Sequence, residues 1–284
     1  MLCFINQSII STGLKELSTS TYNRAQQNPD DESIQADIKT ISKMSEKVLP
    51  TLFKLVDLLS KSIPMISKSS DAMEIDQNKD NFTKESTPQD TAQQIHHITL
   101  AIQSLAKITS PAFLQTIFQK LLTRLLKSST EPEQNMNQIA SLLNLAQALV
   151  SSAVLESASI SLLYRTIKPL IRTDEFSPNI QKRAYKVMSS LCQNYTQFII
   201  GEKLDEVIEL MLGSLMTCQV ASRSVRLQCL QYVIDGLDFK SKKQMVSFLR
   251  CCPFDNFDLN YIVYSNYFFV SVSIMIGYHT TNHG

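Results

Sequence analysis

SISLLYRTIKPLIR (residues 159–172), AYKVMSSLCQNY (184–195) and LDEVIELMLGSL (204–215) write one apolar template three times. Ile160 is followed by Leu163, Tyr164, Ile167 and Ile171, and Ala184 by Val187, Met188, Leu191 and Tyr195. Leu204 is followed by Val207, Ile208, Met211, Leu212 and Leu215. A helix of 3.6 residues per turn returns such positions to one side, so each segment predicts a helix with one buried face. Leu227, Leu230, Ile234 and Leu237 form a looser fourth set.

Working upstream, the stripes acquire a period. Ile95, Ile98, Ile102 and Leu105 make one stripe; Leu114, Ile117, Phe118, Leu121 and Leu125 make the next; Ile139, Leu142, Leu143 and Ala146 make a third. The first residues of alternate helices, Leu114, Ile160 and Leu204, lie 46 and 44 residues apart. The other alternation, Ile95, Ile139, Ala184 and Leu227, is spaced 44, 45 and 43. A two-helix unit recurring about every 44 residues falls in the HEAT/armadillo range. The predicted fold is therefore all-α, an α-solenoid of HEAT/armadillo-like helical hairpins.

This template divides the 284 residues into four regions. Residues 1–62 read as N-terminal helical repeats that start abruptly, without the polar outer face a solenoid end needs. That start suggests either a position inside a longer array or a partner covering the end. It also lacks the basic start and cleavage site of a signal peptide. Within it, Leu2–Leu17 has a helical pattern and the polar stretch Thr21–Ser33 is expected to be a loop. Ile34–Met44 and Val48–Leu59 are expected as two helices, with Pro50 in the first turn of the second. Residues 63–90 carry no stripe and sum to −4 between Asp71 and Asp90, which predicts a disordered acidic and polar insertion. Residues 91–250 hold the regular repeats. Ser110-Pro111 and Ser177-Pro178 are expected to open helices as cap and first residue. Pro169 is expected to kink or finish its helix, and Gly201 to separate two helices.

Residues 251–284 leave the pattern. Leu259–Tyr278 contains no charged residue but is diluted by Asn260, Asn266 and several serines. The stretch reads as a non-native end, such as translated intervening or out-of-frame sequence. A C-terminal membrane anchor is the alternative, since about 20 apolar residues can span a bilayer.

Composition narrows the function. Net charge is +1, so any basic binding surface must be local. Six cysteines include no C-x-x-C, and no His cluster accompanies them. Cys192 and Cys229 fall beside stripes and are expected as small core filler, which points to reduced thiols inside a cell. His96 and His97 are adjacent and cannot chelate as an i, i+4 pair would. Glycine-rich phosphate loops, nucleophile elbows and metal-binding signatures are absent, so no enzyme, cofactor, metal or small-molecule substrate is expected. Glu202 with Asp205 reads as a helix-dipole complement. Arg165, Lys168 and Arg172 lie beside the stripe of their helix, Lys182 and Lys186 lie opposite theirs, and Arg223 and Arg226 start the fourth helix. These seven form either an ordinary solvated face or a groove that contacts RNA phosphates or acidic peptides.

Leu162-Leu163-Tyr164-Arg165-Thr166-Ile167-Lys168-Pro169-Leu170 and Gln181-Lys182-Arg183-Ala184-Tyr185-Lys186-Val187 resemble the central helical region of the ribosomal RNA-processing protein 12 family. That family carries L-Y-x-x-I-[RK]-P followed by V-Q-K-[KR]-A-Y-[RK]-V-L. Ser222–Leu237 is similar to its next helix. The likeness is specific between about Leu114 and Leu237, looser from Val48 to Lys107, and stops near Arg250. Family members are several times longer, so the chain resembles an internal fragment with a divergent end. The resemblance implies a HEAT-repeat factor of the nucleolus and nucleus, associated with pre-ribosomal particles, pre-rRNA, and assembly or transport proteins. It assigns no RNA-binding residue. A nuclear-transport adaptor of the importin type and a tail-anchored membrane scaffold are the alternatives.

Overall fold

The computed structural model describes residues 2–61, 88–130, 132–152, 155–172, 176–214, 218–238 and 240–241. Ten α-helices and one 3-10 turn account for nearly all of them, and no strand occurs among the described residues. The helices are α1 (Leu2–Gln27), α2 (Glu32–Lys61), α3 (Pro88–Ala106), α4 (Pro111–Ser129) and α5 (Pro132–Val150). They continue with α6 (Ser157–Arg172), α7 (Pro178–Asn194), α8 (Thr196–Glu202), α9 (Leu204–Gly213) and α10 (Arg223–Gly236), the last preceded by the 3-10 turn Val220–Ser222. The chain divides into two compact units, residues 1–162 and 163–284. The expected insertion at 63–90 lies outside the described residues except Pro88–Asp90, which open α3; the expected tail, 251–284, lies wholly outside them.

In the first unit α1 packs on α2 and α3, α3 also on α2 and α5, and α5 on α2 and α4. For α2 to α5 the apolar stripes dictate this, because each would otherwise face water, whereas α1 buries the small polar residues Ser11, Ser18 and Thr21. Ile98, Ile102 and Leu105 of α3, Leu114, Phe118 and Leu125 of α4, and Ile139 and Leu143 of α5 are all buried. Three expectations change here. The stretch 21–27 belongs to α1 instead of a loop, anchored by buried Thr21, whose hydroxyl donates to the Leu17 carbonyl. The two helices expected between Ile34 and Leu59 are one, α2, with Pro50 in its interior. An interior proline costs about 3 kcal/mol in a free helix; here Leu49, Leu52 and Val56 bury the same face on both sides of it. Ser110 does not cap α4 with its side chain; its Oγ instead donates to Glu46 Oε1 at 2.6 Å.

In the second unit α7 packs on α8, α10 and the 3-10 turn, while α8 and α9 pack on each other and on α10. Ile167 and Ile171 of α6, and Val187, Met188 and Leu191 of α7, are fully buried. Tyr164 meets Phe198 edge to face at 6.3 Å. Pro169 does not stop α6, which runs on to Arg172 because Leu170 and Ile171 are both buried. The break expected at Gly201 falls elsewhere. Tyr195 (φ −123°, ψ 43°) separates α7 from α8, and Lys203 (φ −130°, ψ 8°) separates α8 from α9, leaving Gly201 inside a helix. Gly236 is constrained instead, since a methyl group there would run into Thr196 Cγ2 and Ile200 Cδ1.

One device recurs in both units. Gln115, one turn into α4, accepts the Glu156 N–H on Oε1 and donates from Nε2 to Ser159 Oγ at 2.6 Å. Gln181, one turn into α7, accepts the Gln219 N–H on Oε1 at 2.9 Å and donates to the Ile171 carbonyl at 3.3 Å. Each glutamine thus satisfies an orphan backbone donor just before a later helix and fixes where that helix starts. Ser177, like Ser110, makes no side-chain cap, although Pro111 and Pro178 both occupy the first turn as expected.

Gln181→Ala is expected to leave the buried Ile171 carbonyl and the part-buried Gln219 N–H without this partner, at roughly 1–3 kcal/mol for the buried group. The check is the urea midpoint, which should fall clearly below that of the parent chain. Leu191→Asp, which buries an unpaired carboxylate, should cost several kcal/mol and abolish the cooperative transition.

Candidate nucleic-acid interface

The seven predicted cations separate into three situations. Lys168 and Arg172 of α6 are committed to carboxylates of α9: Lys168 Nζ lies 3.0 Å from Glu206 and Arg172 Nη2 lies 3.3 Å from Glu209. Lys203, at the start of α9, meets the same Glu206 carboxylate at 2.8 Å. Hydrogen bonds from Lys203 and then Lys168 hold the Glu206 carboxyl down at about 2. Burial raises the nearby Tyr164 phenol, with the Glu206 charge adding to the effect. Arg165, on the same helix, is exposed. The α6–α9 seam is therefore a salt-bridged contact first, with only part of its positive charge left for a ligand.

Lys182 and Lys186 of α7 carry more of the free field. Lys182 is half-buried, Lys186 is exposed, and neither has a carboxylate in ion-pair range among the described residues. Arg183 joins them, its Nε donating to Asn179 Oδ1 at 2.9 Å. Partial burial, then the charges of Lys182 and Arg183, hold the Lys186 ammonium below the usual lysine range. Three crowded cations on one turn repel each other, and an anion would relieve that repulsion.

Arg226 is a correction. The sequence placed it with Arg223 at an exposed helix start and put Leu227 in the core; the structure exchanges the two. Arg223 is exposed, whereas Arg226 is 3% exposed and Leu227 half-buried. The buried face of α10 runs Arg226, Cys229, Leu230, Val233 and Ile234. Arg226 Nη1 donates to the Met211 carbonyl at 2.9 Å, where the last turn of α9 leaves carbonyls without helical partners. Its guanidinium therefore ties α10 to α9 and is removed from any phosphate-binding face.

Other residues behave as packing. Cys192, Cys218 and Cys229 are free and buried, and the Cys229 thiol donates to the Tyr185 carbonyl at 3.6 Å. Burial pushes the Cys229 thiol well up, which keeps it in the unreactive protonated form. Among the described residues no cluster of three metal-ligating side chains occurs, and no helix is long and apolar enough to cross a membrane. Sequence reading missed Lys203, Gln115 and Gln181. Lys203 had a signal, since it sits three residues before Glu206; the glutamines had none, because the backbone N–H groups they accept from lie 41 and 38 residues away.

Among the described residues the fold is all-helical, Cys192, Cys218 and Cys229 are free, and cations gather on particular helix faces. No protein-family model matches the chain, and no curated protein matches it significantly.

The Glu206 ion pairs carry a pH signature. A carboxyl held near 2 when folded and at its ordinary 4.5 when unfolded supplies stability that is complete above pH 4.5 and lost as pH falls to about 2. The urea midpoint of the parent chain should therefore exceed that of Glu206→Gln at pH 6, and the difference should close by pH 2.

Proposed function

We propose that the chain is a non-enzymatic scaffold of HEAT-type helical hairpins that acts in ribosome biogenesis. It would associate with pre-ribosomal particles during pre-rRNA processing and subunit maturation or export, in the nucleolus and nucleus. The observation carrying this reading is the resemblance of Leu162–Leu170 and Gln181–Val187 to the ribosomal RNA-processing protein 12 family.

The repeat part of the proposal draws on contact spacing. Gln115 Nε2 bonds Ser159 Oγ, 44 residues on, and Cys229 Sγ bonds the Tyr185 carbonyl, 44 residues back. The same separation thus joins neighbouring helices within each unit, as a 44-residue brick requires. Ser45–Thr109 and Glu46–Ser110 are separated by 64 instead. The additional twenty residues fall where the sequence between Lys61 and Pro88 interrupts the period. A helical hairpin that touches only its neighbours leaves outer faces free to hold RNA and protein together.

A tagged chain expressed in its own cells should co-sediment with pre-ribosomal particles, and its depletion should accumulate pre-rRNA intermediates. Free sedimentation together with normal pre-rRNA processing on depletion would refute the proposal.

A further inference from the structure

We infer that the α2–α4 side of the first unit, with the cavity at the α4–α5 turn, binds the sugar-phosphate backbone of single-stranded RNA. The seven cations read from the sequence all lie beyond this unit; this surface uses none of them.

Two contacts set its geometry. Glu46 meets Ser110, just before α4, and Asp57 meets Arg124 Nη2 at 3.3 Å further along, so side chains link α2 and α4 at two points that advance in the same direction along both. Lys54 and Lys61 of α2 and Lys120, Arg124 and Lys127 of α4 are exposed. On α4 the spacing i, i+4, i+7 places three cations along one face over about 10 Å of helix. That helix contains no acidic residue at all. Asp57 accepts both Arg124 and Lys61, the latter at 3.2 Å. Among the described residues, five cations less the Asp57 and Glu46 carboxylates leave +3 on this patch, and the shared Asp57 holds two of the cations in place.

Arg124 and Lys127 continue into a cavity of about 360 Å³, completed by Ser128, Thr130, Asn135 and Gln138. The described residues that line it are all polar, which disfavours the apolar ligands that most cavities of this size accept. Guanidinium, ammonium and hydroxyl groups suit phosphate oxygens. The two amides both donate and accept, as a ribose 2′-hydroxyl does. The choice of RNA among polyanions rests also on the ribosomal reading above.

The experiment is fluorescence anisotropy of the full chain with a labelled mixed-sequence single-stranded RNA and the matched DNA, across a salt titration. Arg124→Ala with Lys127→Ala should weaken RNA binding about tenfold or more at near-physiological salt. It should also flatten the log K against log salt slope by roughly 1.4, two contacts at ~0.7 each. Both side chains are exposed, so the circular dichroism melt should not move. Lys182→Ala with Lys186→Ala should change binding less. The inference is overturned if the parent chain does not bind RNA, if the α4 variant binds like the parent, or if RNA and DNA bind equally. The two proposals fail separately. RNA binding lost in the α4 variant, without particle association of the parent, sinks only the ribosomal reading; particle association with an unaffected α4 variant sinks only this one.

Discussion

From α2 onward, each helix here has one greasy side that it cannot cover alone. Isolated helices of this length are marginal in water, and propensity contributes little beside burial of the apolar face. Tyr164, Tyr185, Phe118 and a series of leucines and isoleucines reach almost complete burial only because a neighbouring helix supplies the other half of the contact. That constraint explains why α2 survives an interior proline and why α6 runs past Pro169. In both places the apolar stripe continues on the far side of the ring, and the packing it makes outweighs the missing backbone bond.

Buried polar groups then decide register. Apolar stripes are tolerant of sliding, whereas a side-chain amide matched to a single backbone N–H is not. Gln115 and Gln181 each make that match at the beginning of a later helix. Arg226 does the same work from the opposite end, closing the carbonyl end of α9. Burying a guanidinium is expensive unless it is bonded, and a helix C-terminus, rich in unpaired carbonyls and carrying negative dipole, is a favourable place for one.

The apolar stripes between Ile95 and Ile171 were legible in the sequence, and most of their members are buried. What periodicity of apolar residues misses is any buried position held by a polar one. Counting only apolar residues put Leu227 in the core and Arg226 outside; the true face is shifted by one residue because an arginine occupies it. On α9 the expected stripe was met in part: Val207 and Met211 are buried with Leu210, which the stripe left out, whereas Leu204, Ile208 and Leu212 are only half-buried. Proline and glycine misled in the other direction. Pro50 and Gly201 looked like boundaries, but tertiary packing overrode both. For the charged surface, the sequence located cations without their partners, so Lys168 and Arg172 looked available although Glu206 and Glu209, over thirty residues away, already hold them.

The proposed repeat depends on contacts between helices about 44 residues apart in sequence, such as that of Gln115 with Ser159. A double-mutant cycle on Gln115→Ala and Ser159→Ala, read by urea unfolding, measures that contact directly. The account predicts a coupling of about 0.5–3 kcal/mol between residues 44 apart in sequence. Strictly additive effects, with no coupling, would contradict it.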